Sequence, residues 1–241
     1  MLYITGDIHG DITPLKDLCR IKQCTENDIV IVVGDVGINY FGDGRDKHKK
    51  EQLKKLEPTF LFIHGNHEER PNNILSYKEI GWHGGNVYVQ EKYPNLIFAK
   101  DGEYYNLEGL ETLVIGGAYS VDKWYRLQHN MKWFEDEQPS EESKKRALSN
   151  IEKHNFHADL VLTHTCPYKL EPKEKYLPGI DQYSVDKTTE YFLDAVEKKL
   201  DYDRWICGHW HIDKDINDGK FSFLYRQWMQ IENKQDFEMQ I

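Results

Sequence analysis

Five short stretches hold side chains of the kinds that bind metal ions or move protons. Gly6-Asp7-Ile8-His9-Gly10 sets a carboxylate and an imidazole two residues apart. Gly34-Asp35-Val36-Gly37 adds a second carboxylate. Gly65-Asn66-His67-Glu68 brings an amide, an imidazole and another acid. Thr163-His164-Thr165 supplies one imidazole, and Gly208-His209-Trp210-His211 supplies two. Oxygen and imidazole donors without a thiolate suit Mn2+, Fe or Zn2+ better than a structural, cysteine-rich zinc site. Asp7, His9, Asp35, Asn66, His164, His209 and His211 exceed what one ion needs. Two ions sharing a carboxylate would use all seven.

Each stretch follows an apolar run. Residues 2–5, 28–33, 59–63, 159–163 and 204–207 are predicted strands, and the β-branched run at 28–33 is typical of a strand buried on both faces. Helical patterns lie between them. One opens at Thr13-Pro14 with Leu15, Leu18 and Cys19 inward. A charged one covers 46–56 with Leu53 and Leu56 inward. One follows Ser140, with Glu141 and Glu142 at its positive end. One is capped by Ser184 and carries Val185, Phe192, Val196 and Leu200. The β-α-β-α-β opening implies a parallel sheet. The carboxyl ends of such strands open on one crevice, so the five tips would meet. Residues 87–89, 96–98, 103–107 and 112–115 read as a meander, hence a mixed or second sheet. Residues 220–231 alternate like an edge hairpin. One domain over 1–241, with two sheets and flanking helices, is the simplest reading. Gly6, Gly34, Gly65 and Gly208 permit sharp turns and close backbone approach at the tips.

The ordered series D-x-H, G-D, G-N-H-[DE], H and G-H-x-H resembles the calcineurin-like metallophosphoesterase superfamily, and most its small bacterial or phage members. It spans residues 6 to 211. The resemblance implies an α/β fold of two mixed β-sheets packed as a sandwich and flanked by helices, in four αββα layers. It implies that Asp7, His9 and His211 hold one metal, that Asn66, His164 and His209 hold a second, and that Asp35 bridges them. His67 would lie near the substrate without binding metal. The implied reaction is hydrolysis of a phosphomonoester or phosphodiester by in-line attack of a metal-bridging hydroxide. His67 would assist the leaving group. The implied cofactor is a pair of divalent or mixed-valence ions, manganese first, with iron or zinc as alternatives. A metal-dependent nuclease of the same superfamily is the alternative function, and a non-catalytic metal-binding scaffold a further one.

The second motif departs from the protein phosphatase form G-D-x-V-D-R-G. Ile38 stands where an aspartate would orient the histidine, and Asn39 where an arginine would clamp phosphate. Other side chains would then hold the substrate. Arg70 is one candidate; Tyr119, Lys123 and Arg126 are the others, in the stretch GGAYSVDKWYR, which reads either as a loop covering the site or as a surface connector with a buried tryptophan. Glu68 either orients His67 or is structural. Asp11 is expected to stabilise its loop, and His64 to pack at a strand end.

The formal net charge of −10 argues against a general polyanion binder. Lys47, Lys49, Lys50, Lys54 and Lys55 read as one solvated helix face. Cys19, Cys24, Cys166 and Cys207 form no C-x-x-C pair, which suggests free buried thiols in a reducing compartment. The apolar start is broken at Gly6-Asp7, unlike a signal peptide, and no apolar run approaches the roughly 18 residues of a membrane helix. The expectation is a cytoplasmic protein acting on a small phosphorylated substrate, away from membranes, with nucleic acid entering only as substrate.

Overall fold

The apolar runs form two mixed sheets. The computed structural model describes residues 1–231, so residues 232–241, the end of the predicted domain, lie outside the described residues. The first sheet comprises β1 (Leu2–Thr5), β2 (Ile29–Val32), β3 (Thr59–Phe62), β4 (Tyr77–Trp82), β5 (Gly85–Gln90), β6 (Tyr93–Ala99) and β13 (Trp228–Ile231). Their order is β13-β1-β2-β3-β6-β5-β4, with β1, β2, β3 and β6 parallel. The second sheet comprises β7 (Tyr104–Leu107), β8 (Leu110–Ile115), β9 (His157–Thr163), β10 (Asp201–Cys207), β11 (Lys214–Ile216) and β12 (Phe221–Phe223). Their order is β11-β12-β10-β9-β8-β7, with β8, β9, β10 and β12 parallel.

The period-2 geometry of strands divides the core into three layers. Leu2, Ile4, Ile31, Leu61 and Ile97 of the first sheet pack with Val114, Leu160, Leu162 and Ile206 of the second. On the far side of the first sheet, Tyr3, Val30, Val32, Phe60 and Phe62 meet Leu15 and Leu18 of α1 (Thr13–Lys22) and Leu53 of α2 (Gly44–Leu53). On the far side of the second, Leu113, Val161 and Trp205 meet Ala147 and Ile151 of α3 (Glu141–Lys153) and Leu193 and Val196 of α4 (Thr188–Glu197). Burying each such side chain contributes roughly 1.5–3 kcal/mol before chain entropy is subtracted. The result is a sandwich with helices on both outer faces. All four cysteines are free and buried. Among the described residues, no helix is long and apolar enough to cross a membrane.

Several local expectations are corrected. Residues 220–231 form no hairpin: β12 lies between β10 and β11 in one sheet, while β13 pairs antiparallel with β1 in the other. The alternation came from two strands that change sheets. Ser184 does not cap the helix: its hydroxyl donates to the Asp181 carbonyl at 2.7 Å. The helix begins at Thr188, where Asp186 Oδ1 accepts from the Thr188 amide at 2.9 Å, and Val185 precedes it. Pro14 does occupy the first turn of α1, and Asp11 Oδ1 accepts from the Thr13 amide at 3.1 Å, the loop role expected of it. The lysine cluster is not one solvated face. Lys50 is 6% exposed and donates to Asn39 Oδ1 at 2.6 Å and Gln90 Oε1 at 2.8 Å. Burial pushes its ammonium pKa down to about 8.

Candidate metal centre

The tips of β1, β2, β3, β9 and β10 meet at one end of the sandwich. Four of the seven expected ligands sit in the left-handed backbone region: His9 (φ 46°), Asp35 (49°), His209 (66°) and His211 (49°). Non-glycine residues rarely adopt this conformation, and when they do it tends to be at functional sites. The turns put side chains of adjacent tips in contact. A Cβ on Gly34 (φ 105°) would lie 1.8 Å from His164 Nδ1, and one on Gly65 would lie 2.0 Å from Asp35 Oδ1. Only glycine allows these approaches.

Asp7, His9 and His211 form one group. His9 Nε2 and His211 Nε2 are 2.8 Å apart, and Asp7 Oδ2 is 3.3 Å from the latter and 3.9 Å from the former. The hydrogen bond to the buried Asp7 raises the His211 pKa. Asp7 also accepts from the His209 backbone amide, tying the two loops together.

Asn66, His164 and His209 form the second group. The Val33 carbonyl, 2.9 Å from His164 Nδ1, can only accept, so that nitrogen carries the ring proton of the neutral imidazole. His164 Nε2 then turns its lone pair toward Asn66 Oδ1 at 2.8 Å. Asn66 Nδ2 donates to Ser120 Oγ at 2.8 Å, and Ser120 Oγ donates to Glu137 at 2.5 Å, so the amide oxygen is held inward. His209 Nδ1 approaches the same oxygen at 3.1 Å. Burial and the neighbouring His164 hold the His209 pKa well below the ordinary histidine value. The neutral ring presents a lone pair. His164 Nε2 and Asn66 Oδ1 thus turn electron pairs toward each other with no proton fixed between them, which fits a cation.

Asp35 borders both groups. Its Oδ2 lies 3.7 Å from His9 Nδ1 and its Oδ1 3.7 Å from His164 Nε2. Burial alone would raise its pKa, but His164, His67 and His9 bring it below the usual carboxylate value. Asp7, Asp35 and His164 also offer ligand atoms within 4.8 Å of one another. A third such group, His157, Asp159 and Asp203, is on β9 and β10, before these tips.

His67 stands beside the two groups. Its amide donates to Asp35 Oδ1 at 2.8 Å, and its Nε2 faces Arg126 Nη2 at 3.4 Å. Burial, with Arg126 adding to it, lowers its pKa. Arg126 is oriented by Asp122, both of whose carboxylate oxygens accept from Nε at 2.8 Å. Lys49 lines the same small cavity as His9, His67 and Arg126, and its ammonium donates to the Gly37 carbonyl at 2.9 Å. Sequence reasoning missed Lys49 because it lies in a lysine-rich helix.

The remaining candidates separate. Tyr119 lines a larger cavity next to His67. The Lys123 ammonium lies 3.9 Å above the Trp133 ring. Arg70 is engaged elsewhere, donating to Asp101 Oδ2 and the Asp136 carbonyl, each at 2.6 Å. Glu68 accepts from the Gly37 and Gly65 amides at 3.2 and 3.4 Å. Burial pushes its pKa up to about 8. It therefore braces the loop. His64 is buried, with Nε2 on the Glu68 carbonyl at 3.1 Å. Ile38 and Asn39 are both buried, and Asn39 receives Lys50 and Tyr77, so it is not a phosphate clamp.

Strand tips of a helix-flanked double sheet that present carboxylate, imidazole and amide donors describe a metal-binding hydrolase class. The calcineurin-like phosphoesterase family model matches residues 2–213. The chain belongs to this family of metal-dependent phosphoesterases. The crystal structure of the protein TT1561 of Thermus thermophilus is similar in fold, at 13% sequence identity with a TM-score of 0.51, over 93% of this chain and 87% of that one. No curated protein matches the sequence.

Proposed function

We propose that the protein hydrolyses a phosphomonoester or phosphodiester with two divalent cations, manganese first among them. Asp7, His9 and His211 hold one, Asn66, His164 and His209 the other, and Asp35 serves both. The observation that carries this reading is the pair of facing lone pairs on His164 Nε2 and Asn66 Oδ1, with His209 beside them and the Asp7–His9–His211 group adjoining. Bound there, the cations supply Lewis-acid charge for the phosphoryl oxygens and acidify water.

The chain's own residues do the rest. Arg126, fixed by Asp122 and close to His67, offers its guanidinium to a phosphoryl oxygen. Lys49 adds a second positive charge on that side. His67 gives a proton to the leaving oxygen. Burial and Arg126 disfavour its protonated form in the free protein, so His67 takes up the proton it donates when the negative charge of a bound phosphate offsets them.

Asp35→Asn tests the reading. Turnover of p-nitrophenyl phosphate should vanish and bound manganese should fall at both positions together. Unchanged activity with manganese present would sink it. Comparing that monoester with its bis ester assigns the substrate's ester class, and cleavage of DNA with manganese would point to a nuclease.

A further inference from the structure

A cavity of about 440 Å³ opens directly off the metal centre, bordered on one side by Asn66, His67, His209 and His211. Its other walls are mainly apolar and aromatic: Tyr119, Val121, Tyr176, Ile180, Val185 and Trp210, each half-buried. That size is ample for a small organic group, and a hydrated phosphate alone needs no such lining.

The wall is braced rather than loose. Lys187 Nζ donates to Glu171 Oε1 at 2.8 Å, in an ion pair whose carboxylate side chain is 1% exposed. Tyr176 OH donates to the other Glu171 oxygen. The Lys187 ammonium also lies 5.2 Å from the Tyr176 ring and 5.8 Å from the Trp210 ring. Glu190 contributes a polar point to the cavity. It is 3% exposed, and its Oε1 accepts from Thr165 Oγ1 at 3.0 Å. Its Oε2 has no hydrogen-bond partner among the described residues. A buried carboxyl oxygen left unpaired costs on the order of 1–3 kcal/mol, which a polar ligand atom would offset.

We propose that this cavity is the leaving-group subsite and that it takes a nucleoside: a planar ring system for the aromatic walls, with a polar edge for Glu190. This rests on the phosphoesterase reading and names its substrate class, a nucleoside phosphate ester. A sugar or glycerol leaving group would leave the aromatic walls wet. A phenyl ring would leave Glu190 Oε2 unmet and much of the volume empty.

Two measurements on the whole chain test this. In the first, adenosine binding to metal-free protein is followed by calorimetry. Saturable binding is expected, with affinity reduced about tenfold in Ile180→Asp and retained in Ile180→Val. In the second, kcat/KM with manganese is compared for AMP, glycerol 3-phosphate and phosphotyrosine. AMP should lead the other two by about tenfold or more, and Ile180→Asp should shrink that lead. Adenosine binding without any phosphoester hydrolysis would support the subsite and overturn the phosphoesterase reading. Active enzyme that favours glycerol 3-phosphate or phosphotyrosine, or that binds no adenosine, would overturn the subsite and leave the phosphoesterase reading standing.

Discussion

His9 Nε2 and His211 Nε2 face each other across 2.8 Å, although 202 residues separate them in the chain. One proton between them satisfies the pair in the absence of a cation. A bound cation would take both lone pairs and Asp7 together, so the proton must leave Nε2, and it goes to solvent wherever Asp7 holds the His211 ring protonated. Manganese binding should therefore release protons, visible as a buffer-dependent heat in calorimetry. His9→Ala should lower both the release and the number of ions bound. Proton-neutral binding by the native chain near pH 6, below the raised His211 pKa, would contradict this pairing.

His67 touches the site through Asp35 and Arg126 and belongs to neither ligand group. As an acid it matters most when the leaving oxygen is a poor one. His67→Ala should slow an alkyl phosphate by about 10²–10⁴-fold, a p-nitrophenyl ester far less, and leave manganese content unchanged. Equal losses on both esters would make it a substrate-binding residue, and an emptied site would make it a ligand.

Glu190 gives a pH signature away from the ligands. Burial pushes its carboxyl up to about 7, against an ordinary value of 4.5. The folded chain thus holds a proton there that the unfolded chain has lost. The contribution is fully present below the unfolded value and is lost as pH rises to about 7. A difference of that size corresponds to about 3 kcal/mol. Glu190→Gln should therefore stabilise the protein more at pH 8 than at pH 5, as read from thermal unfolding against the native chain. An equal difference at both pH values would show that Glu190 does not titrate with folding.

The five strand tips were legible because each pairs an apolar run with polar, chelating residues, a pattern that a strand end has no structural reason to carry. The contacts that complete the site were not. Lys49 and Lys50 look alike in sequence, yet one borders the site and the other is buried under Asn39 and Gln90. Only the packing of α2 against the sheet distinguishes them. The strand Tyr77–Trp82 was missed because it is an edge strand with mostly exposed side chains and no buried face to impose alternation. The cavity wall at residues 176–185 is irregular apart from one 3-10 turn at Gln182–Ser184 and has no period to read. Arg70 resembled a phosphate ligand, but Asp101, 31 residues away, takes its guanidinium.

The most direct test of the central claim is anomalous diffraction at the manganese edge from crystals grown with manganese. Two adjacent peaks are expected, one among Asp7, His9 and His211 and one among Asn66, His164 and His209, with Asp35 reaching both. Peaks confined to His157, Asp159 and Asp203, or no peak between the strand tips, would contradict it.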